Sequence, residues 1–209
     1  MKVLLVNGSP HEKGCTYTAL AEVAKTLNAE GIETEIFHIG SDPISGCRGC
    51  GACKKLKLGK CVVDDIVNVF AAKAKDADGF VFGSPVHYAS AGGSLVAFMD
   101  RFFYSSGSDT VRLKPAAAVA SARRAGTTAT LDIINKYFTI SEMPVVSSRY
   151  WNMVHGSSPE DVTKDEEGLA TMRVLGRNMA YLIKALDAAK KAGIPLPSEE
   201  AKVRTNFIR

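Results

Sequence analysis

Four of the chain's five cysteines fall within fifteen residues, as Cys47-x2-Cys50-x2-Cys53-x7-Cys61. The segment also carries Gly46, Gly49, Gly51 and Gly59, and glycines let a backbone fold tightly around a compact object. Thiols gathered in this way can ligate an iron–sulfur cluster, hold zinc, or remain free for redox chemistry. A four-cysteine zinc site usually separates its pairs by about a dozen residues or more, whereas three cysteines at x2, x2 spacing match iron–sulfur ligation better. The same segment holds the chain's charge anomaly. Residues 41–61 contain Arg48, Lys54, Lys55, Lys57 and Lys60 against Asp42 alone, which accounts for the whole formal charge of +4. Cations beside thiols favour the thiolate. Charge confined to one segment does not make a nucleic-acid footprint. The fifth cysteine, Cys15, lies outside the motif and reads as a helix-start residue.

A second set of residues suits an anion. Residues 7–18 read Asn7-Gly8-Ser9-Pro10-His11-Glu12-Lys13-Gly14-Cys15-Thr16-Tyr17-Thr18, with Ser9, Thr16 and Thr18 as hydroxyl donors ahead of a helix whose first amides are unpaired. Gly14 is followed by Cys15-Thr16, so this is no Walker A loop, and Gly8 and Gly14 are too far apart for a dinucleotide fingerprint. A hydroxyl-rich loop of this kind suits a phosphate monoester such as that of FMN. The alternative is an ordinary strand-to-helix turn capped by Thr16. Residues 83–94 contain Ser84, Pro85, Val86, His87, Tyr88 and Ser90, whose backbone and aromatic groups can lie against a flat ring. The same residues equally suit a glycine-rich loop with buried aromatics. Residues 121–128 offer Ser121, Arg123, Arg124 and Gly126. The arginines can place charge near a flavin's N1–C2=O edge or form a solvated basic turn. Residues 149–156 hold the only tryptophan, Trp151, with Tyr150 and His155. They read as a cofactor wall, a subunit interface or a small satellite core.

The elements that must position these loops follow from the hydrophobic pattern. Residues 2–6, 33–39, 78–83, 115–121 and 144–147 read as strands. Residues 16–29, 66–74, 95–102, 127–138 and 168–192 show helical spacing, with Asp64 and Asp65 as acidic capping residues ahead of the second helix. Strands alternating with helices predict an α/β fold, a flavodoxin-like doubly wound five-stranded parallel sheet of order 2-1-3-4-5 with helices on both faces. A ligand then binds outside the carboxyl ends of the strands, where the loops above lie.

The length of 209 residues, with 46% hydrophobic and 23% charged residues, suits one domain and excludes a disordered, collagenous or fibrous chain. We expect a single domain over residues 1–209, with a cysteine-rich loop at 41–65 and a C-terminal helix and tail at 166–209. No apolar run reaches the length of a membrane span, and residues 1–6 are too short for a signal peptide. The expectation is a cytoplasmic protein whose thiols stay reduced.

Two motifs, Gly8-Ser9-Pro10…Gly14-Cys15-Thr16 and Gly83-Ser84-Pro85-Val86-His87-Tyr88…Phe98-Met99-Asp100-Arg101, resemble the NAD(P)H-dependent FMN reductase-like group of flavodoxin-fold proteins. The resemblance implies that Ser9, Thr16, Tyr17 and Thr18 hold the FMN phosphate, and that residues 85–90 and 121–126 hold the isoalloxazine ring. His11 stands where many members have arginine, and Cys15 where many have asparagine. The cysteine segment resembles the iron–sulfur flavoproteins, a branch of that group in which a compact motif ligates a [4Fe–4S] cluster. This implies Cys47, Cys50, Cys53 and Cys61 as ligands, with the x7 gap at the long end of the pattern. A [4Fe–4S]²⁺ core with four thiolates contributes about −2 and an FMN phosphate about −1.5 to −2, so the loaded protein is close to neutral.

The resemblance implies an FMN-binding oxidoreductase that moves electrons from NAD(P)H, or from a ferredoxin-like donor, to a small acceptor: a quinone, an azo or nitro compound, or free flavin. It also implies a homodimer or homotetramer, while the confined charge and the lack of a long apolar run argue against a nucleic-acid or membrane partner. No general acid or base is assigned. His87 and His155 are candidates only if protonation of the acceptor limits the rate. Two other readings stay open: a non-enzymatic flavin/iron–sulfur electron carrier, and a thiol or metal redox sensor.

Overall fold

Residues 3–6 are apolar without alternation because the strand they form is covered on both faces. The computed structural model describes residues 1–201 and 203–207. It runs β1 (Lys2–Asn7), α1 (Cys15–Ala29), β2 (Glu33–His38), α2 (Ala52–Lys55), α3 (Ile66–Ala74), β3 (Gly79–His87), β4 (Ser90–Ala91), α4 (Gly93–Ser105), α5 (Ser108–Val111), β5 (Ala116–Ala122), α6 (Thr127–Ile140), β6 (Met153–His155), α7 (Pro159–Lys164) and α8 (Glu166–Lys191). The sheet order is β2-β1-β3-β5-β6 with every neighbour parallel, and β4 folds back antiparallel on β3. Counting the parallel strands alone, this is the expected 2-1-3-4-5 order.

Alternate residues of β1 feed two cores. Leu4 and Val6 join Phe37, Phe70, Phe80, Phe82, Phe98 and Phe102 under α3, α4 and α6. Val3 and Leu5 join Leu20, Val23, Leu27, Met172, Leu175 and Met179 under α1 and α8. Phe70 lies at the centre of the first core, with its ring centroid 4.8–6.3 Å from those of Phe37, Phe80, Phe82, Phe98 and Phe102. Asp65 caps α3 as its sequence position suggests, accepting from the Val67 amide at 3.0 Å. Among the described residues no helix is long and apolar enough to cross a membrane.

Two expectations need correction. The third strand does not stop at residue 83. Gly83, Ser84 and Pro85 continue the ladder opposite Val119, Ala120 and Ser121, so residues expected in a loop extend the strand to His87. The fifth strand is not residues 144–147, which contribute one bridge, Val145 to Ala116. The chain then leaves the sheet because α8 draws it away: Asn178 Nδ2 donates to the Ser147 carbonyl at 2.8 Å and Ser148 Oγ to the Thr171 carbonyl at 2.7 Å. It returns as Met153–His155 to form the edge. Of the tail expected at the C-terminus, residues 202, 208 and 209 lie outside the described residues.

Removing the Phe70 ring opens a cavity among five aromatic neighbours. Phe70→Ala should lower the free energy of unfolding by about 3–5 kcal/mol, read by urea denaturation followed with circular dichroism.

Candidate functional site

Three helices start directly behind strands at the carboxyl edge of the sheet: α1 after β1, α4 after the β3–β4 hairpin, and α6 after β5. Their N-caps are Gly14, Gly92 and Gly126, and none has a side-chain cap. Of the other helices, α3, α7 and α8 are capped by the side chains of Asp65, Ser158 and Asp165, while the four-residue α2 and α5 begin at Gly51 and Gly107 without a side-chain cap. The edge therefore gathers helix N-termini whose amides are left for something outside the chain.

The loop after β1 is shaped from within. Asn7 Oδ1 accepts from the Ser9 amide at 3.1 Å, and Asn7 Nδ2 donates to the Glu12 carbonyl at 2.9 Å. Gly8 lies against β3, where a Cβ would meet the Gly83 carbonyl oxygen at 2.8 Å. The buried Ser9 hydroxyl accepts from the His11 amide, which leaves its own hydrogen to donate. Thr16 does not cap its helix. Its hydroxyl pairs with that of Ser121 at 2.8 Å, which joins the first and third predicted loops. Thr18 is spent on the Gly14 carbonyl at 3.2 Å. His11 is exposed and Tyr17 half-buried. The Cys15 thiol faces the Gly156 carbonyl at 3.8 Å, on the β6 side, where burial raises its pKa.

The second predicted loop is a tight hairpin. Val86 pairs with Ala91 and His87 with Ser90, and the two residues between them, Tyr88 and Ala89, have φ of 50° and 56°. Two consecutive positive φ values mark a type I′ turn, which normally carries Asn or Gly, so non-glycine residues here are strained. Ser84 Oγ accepts from the Gly92 amide at 2.9 Å and donates to the Pro85 carbonyl at 2.8 Å, tying the hairpin to the start of α4. Gly126 supports the tip: at φ 94°, a Cβ there would meet Val86 Cγ1 at 2.8 Å and Ala89 Cα at 2.9 Å. The Tyr88 ring is fully exposed. Arg123 and Arg124 are exposed beyond β5, and the Arg124 carbonyl meets His155 Nε2 at 3.1 Å. Tyr150 and Trp151 stack edge-on at 5.0 Å, half-exposed, beside a small cavity with Met153 and His155.

The four motif cysteines meet at a cavity of about 410 Å³, lined by Cys47, Cys50, Cys53, Cys61, Arg101 and Tyr104 among others. Cys47 and Cys50 are exposed, Cys53 is buried on α2, and Cys61 is half-buried. Among the described residues no three His, Cys, Asp or Glu side chains are grouped tightly enough to share one metal ion. A zinc site needs all four sulfurs about 2.3 Å from one point. The four cysteines line one cavity, and their thiols are a donor set of the kind that soft metal centres take.

Two residues that sequence reasoning gave no role hold this wall. Asn68, buried on α3, accepts from the Cys61 amide at 2.9 Å and donates to the Cys61 carbonyl at 2.9 Å. Arg101, on α4 and 1% exposed, donates from Nε to Cys61 Sγ at 3.3 Å, from Nη2 to the Val63 carbonyl at 2.7 Å and to Asp65 Oδ1 at 2.9 Å, and from Nη1 to Asp65 Oδ2. Burial works against its charge, yet the bonds to Asp65 and Cys61 prevail and raise its pKa above the usual guanidinium value. A signal existed: Arg101 interrupts the apolar stripe of Leu95, Phe98 and Phe102, and a charge on a buried stripe implies a partner.

Comparison with known proteins places the chain in a family. Residues 1–158 match the family model of NADPH-dependent FMN reductases. An iron–sulfur flavoprotein of Methanocaldococcus jannaschii is 34% identical over 193 residues, covering 89% of this chain and 99% of that protein. Among solved structures, a flavodoxin from the domain Archaea superposes with a TM-score of 0.59 at 14% identity, covering 88% of this chain and 99% of that one. The flavoenzyme NAD(P)H:(acceptor) oxidoreductase of Paracoccus denitrificans gives 0.64 at 16% identity, covering 88% and 97%.

Exposure and thiolate character set cysteine reactivity. In chelator-treated protein at mildly alkaline pH, iodoacetamide should label Cys47 and Cys50 first. Cys53, which is buried, and Cys15, whose raised pKa leaves less thiolate, should react at least about 10-fold more slowly. Peptide mass spectrometry reads the order.

Proposed function

Because the chain belongs to the NADPH-dependent FMN reductase family, flavin-binding oxidoreductases with a flavodoxin-like fold, we propose that it binds FMN at the carboxyl edge of its sheet and a [4Fe–4S] cluster in its cysteine cavity. In this reading it passes electrons from NAD(P)H to a small acceptor, such as a quinone, an azo or nitro compound, or free flavin. The observation that carries the reading is the meeting of three uncapped helix starts at one sheet edge, with four thiols lining one cavity against α4. Bound FMN supplies hydride acceptance and one-electron release, and a bound cluster supplies one-electron transfer.

The residues divide this work. The α1 amides and the Ser9 hydroxyl hold a phosphate dianion against the helix's positive end. The Thr16–Ser121 pair fixes the spacing between the phosphate loop and β5, and one of its two hydrogens is free to donate. The hairpin of residues 84–90 forms a wall for the ring, with His87 and Tyr88 exposed at its tip. Arg123 and Arg124 supply the positive charge that a reduced flavin's N1–C2=O edge calls for. Cys47, Cys50, Cys53 and Cys61 are the four ligands, and the cations of residues 48–60 offset the cluster's negative charge. Helix α4 links the two sites: from Gly93, beside the hairpin, to Arg101, on the cavity wall, is about 12 Å along the axis. We place the protein in the reducing cytoplasm as a homodimer or homotetramer. It is a single flavodoxin-like unit with a cysteine-rich segment at 41–65 and a helix and tail at 166–209.

A second reading is favoured by the exposure of Arg48, Lys54, Lys55, Lys57 and Lys60 around Cys47 and Cys50. Such a surface docks an acidic, ferredoxin-like electron donor in place of NAD(P)H. Steady-state oxidation of NADH or NADPH separates the two readings. Turnover with a small acceptor supports the first. Turnover only with an added ferredoxin, weakening as salt rises, supports the second.

Protein purified without oxygen should show flavin absorption and about four irons per chain. Cys50→Ser should lose the iron and keep the flavin. Gly126→Val should keep the iron and bind FMN at least about 10-fold more weakly, because the added side chain displaces the hairpin tip and is strained at that φ. Zinc without flavin overturns the proposal.

A further inference from the structure

We propose that Arg101 is the positioning residue of the cysteine cavity: its Nε–H holds the Cys61 sulfur as the fourth ligand and sets the reduction potential of the cluster carried there. This rests on the cluster reading above.

Cys47, Cys50 and Cys53 are held close together by their spacing, but Cys61 follows after seven intervening residues that include Gly59 and a cationic stretch. Nothing local fixes its sulfur. The fixing comes across the fold from α4. All five guanidinium hydrogens lie toward acceptors on the segment that ends at α3: Cys61 Sγ from Nε, the Val63 carbonyl and Asp65 from Nη2, and Asp65 with the more distant Ser45 carbonyl, 3.5 Å away, from Nη1. The side chain thus clasps the segment near its entry, at Ser45, and at its exit, at Asp65. A planar fork can do this, and an ammonium cannot. Asn68 fixes the Cys61 backbone from α3, so the thiol's remaining freedom is the rotation that Nε restrains.

The electrostatic consequence follows from the pairing. Asp65 takes both terminal nitrogens in a bidentate pair and neutralises most of the guanidinium charge, so Cys61 meets chiefly an N–H dipole. A hydrogen bond to a ligand sulfur draws negative charge from the cluster and makes an added electron less costly, which raises the potential. Removing Arg101 should lower it. Removing the charge of Asp65 while keeping its shape should raise it, because the cation then stands uncompensated, and Asn at that position still caps α3.

The test uses holoprotein purified without oxygen, as wild type, Arg101→Lys, Arg101→Met and Asp65→Asn. Iron and FMN are counted, cluster absorption is followed under an iron chelator, and both midpoint potentials are taken from one redox titration. Both Arg101 variants should keep wild-type FMN. They should lose iron to the chelator about 10- to 100-fold more readily, and show a lower cluster potential with the FMN potential unmoved. Asp65→Asn should shift the cluster potential upward. Opposite shifts cannot come from a merely loosened cavity. Iron retention and potentials equal to wild type in both Arg101 variants overturn the proposal, as do shifts of one sign in Arg101→Met and Asp65→Asn. Should Arg101→Met fail to fold, Arg101→Lys and Asp65→Asn carry the same comparison. A wild type with FMN and no iron overturns the cluster reading itself, and this inference with it.

Discussion

A buried guanidinium on a helix that otherwise faces the aromatic core has to be answered in full, and the answer that Arg101 finds organises the cysteine side of the molecule. Its neighbours on α4, Phe98 and Phe102, belong to the aromatic core, so α4 is fixed before the segment at 41–65 is considered. The cation then demands acceptors. Asp65, the Val63 carbonyl and Cys61 supply them, and in doing so they seat the cysteine segment on the core. Removing Asp65 would leave the Arg101 charge without its main partner, which is destabilising. Asp65 meets two demands at once, since the oxygen that caps α3 also accepts from Arg101. The start of α3, the exit of the cysteine segment and the middle of α4 therefore hold one another in place.

The carboxyl edge of the sheet works by the opposite principle. There the chain leaves groups open. Glycine at three helix starts removes the side chains that would otherwise cap the amides, and at Gly126 it also admits the hairpin tip. Strain at Tyr88 and Ala89 is tolerated because β3 and β4 pair on one side and Gly126 receives the turn on the other. Serine and threonine hydroxyls on this edge mostly satisfy one another or the backbone, as in Thr16 with Ser121 and Ser84 with Gly92. The result is an edge whose open donors are chiefly backbone amides with the Ser9 hydroxyl beside them, an arrangement suited to a large planar ligand with an anionic tail.

Much of this was legible in the chain. A strand without alternation announces burial on both faces, and β1 feeds two cores as its pattern requires. The cysteine spacing, the glycine-rich turns and the acidic start of α3 were local signals, and each lies where such signals place it. The misplacements were non-local. Residues 84 and 85 extend β3 because β5 is long enough to pair with them, and residues 86 and 87 because β4 folds back on them. Residues 144–147 fail as a strand because α8 supplies competing partners for Ser147 and Ser148. Residues 153–155 become the edge because β5 still has open groups there. Arg101 was visible as part of a motif but mute, since a single helix shows which face a charge lies on and not what waits opposite.

The sequence by itself therefore determined the strand–helix order, the parallel sheet, the loops at its carboxyl edge and the four thiols, because each depends on residues near one another in the chain. Only the tertiary structure decided which hydroxyls remain free, where the sheet ends and how Cys61 is held. The bonds that decide them include several between groups 31 to 105 residues apart, and such bonds exist only once packing has brought their partners together.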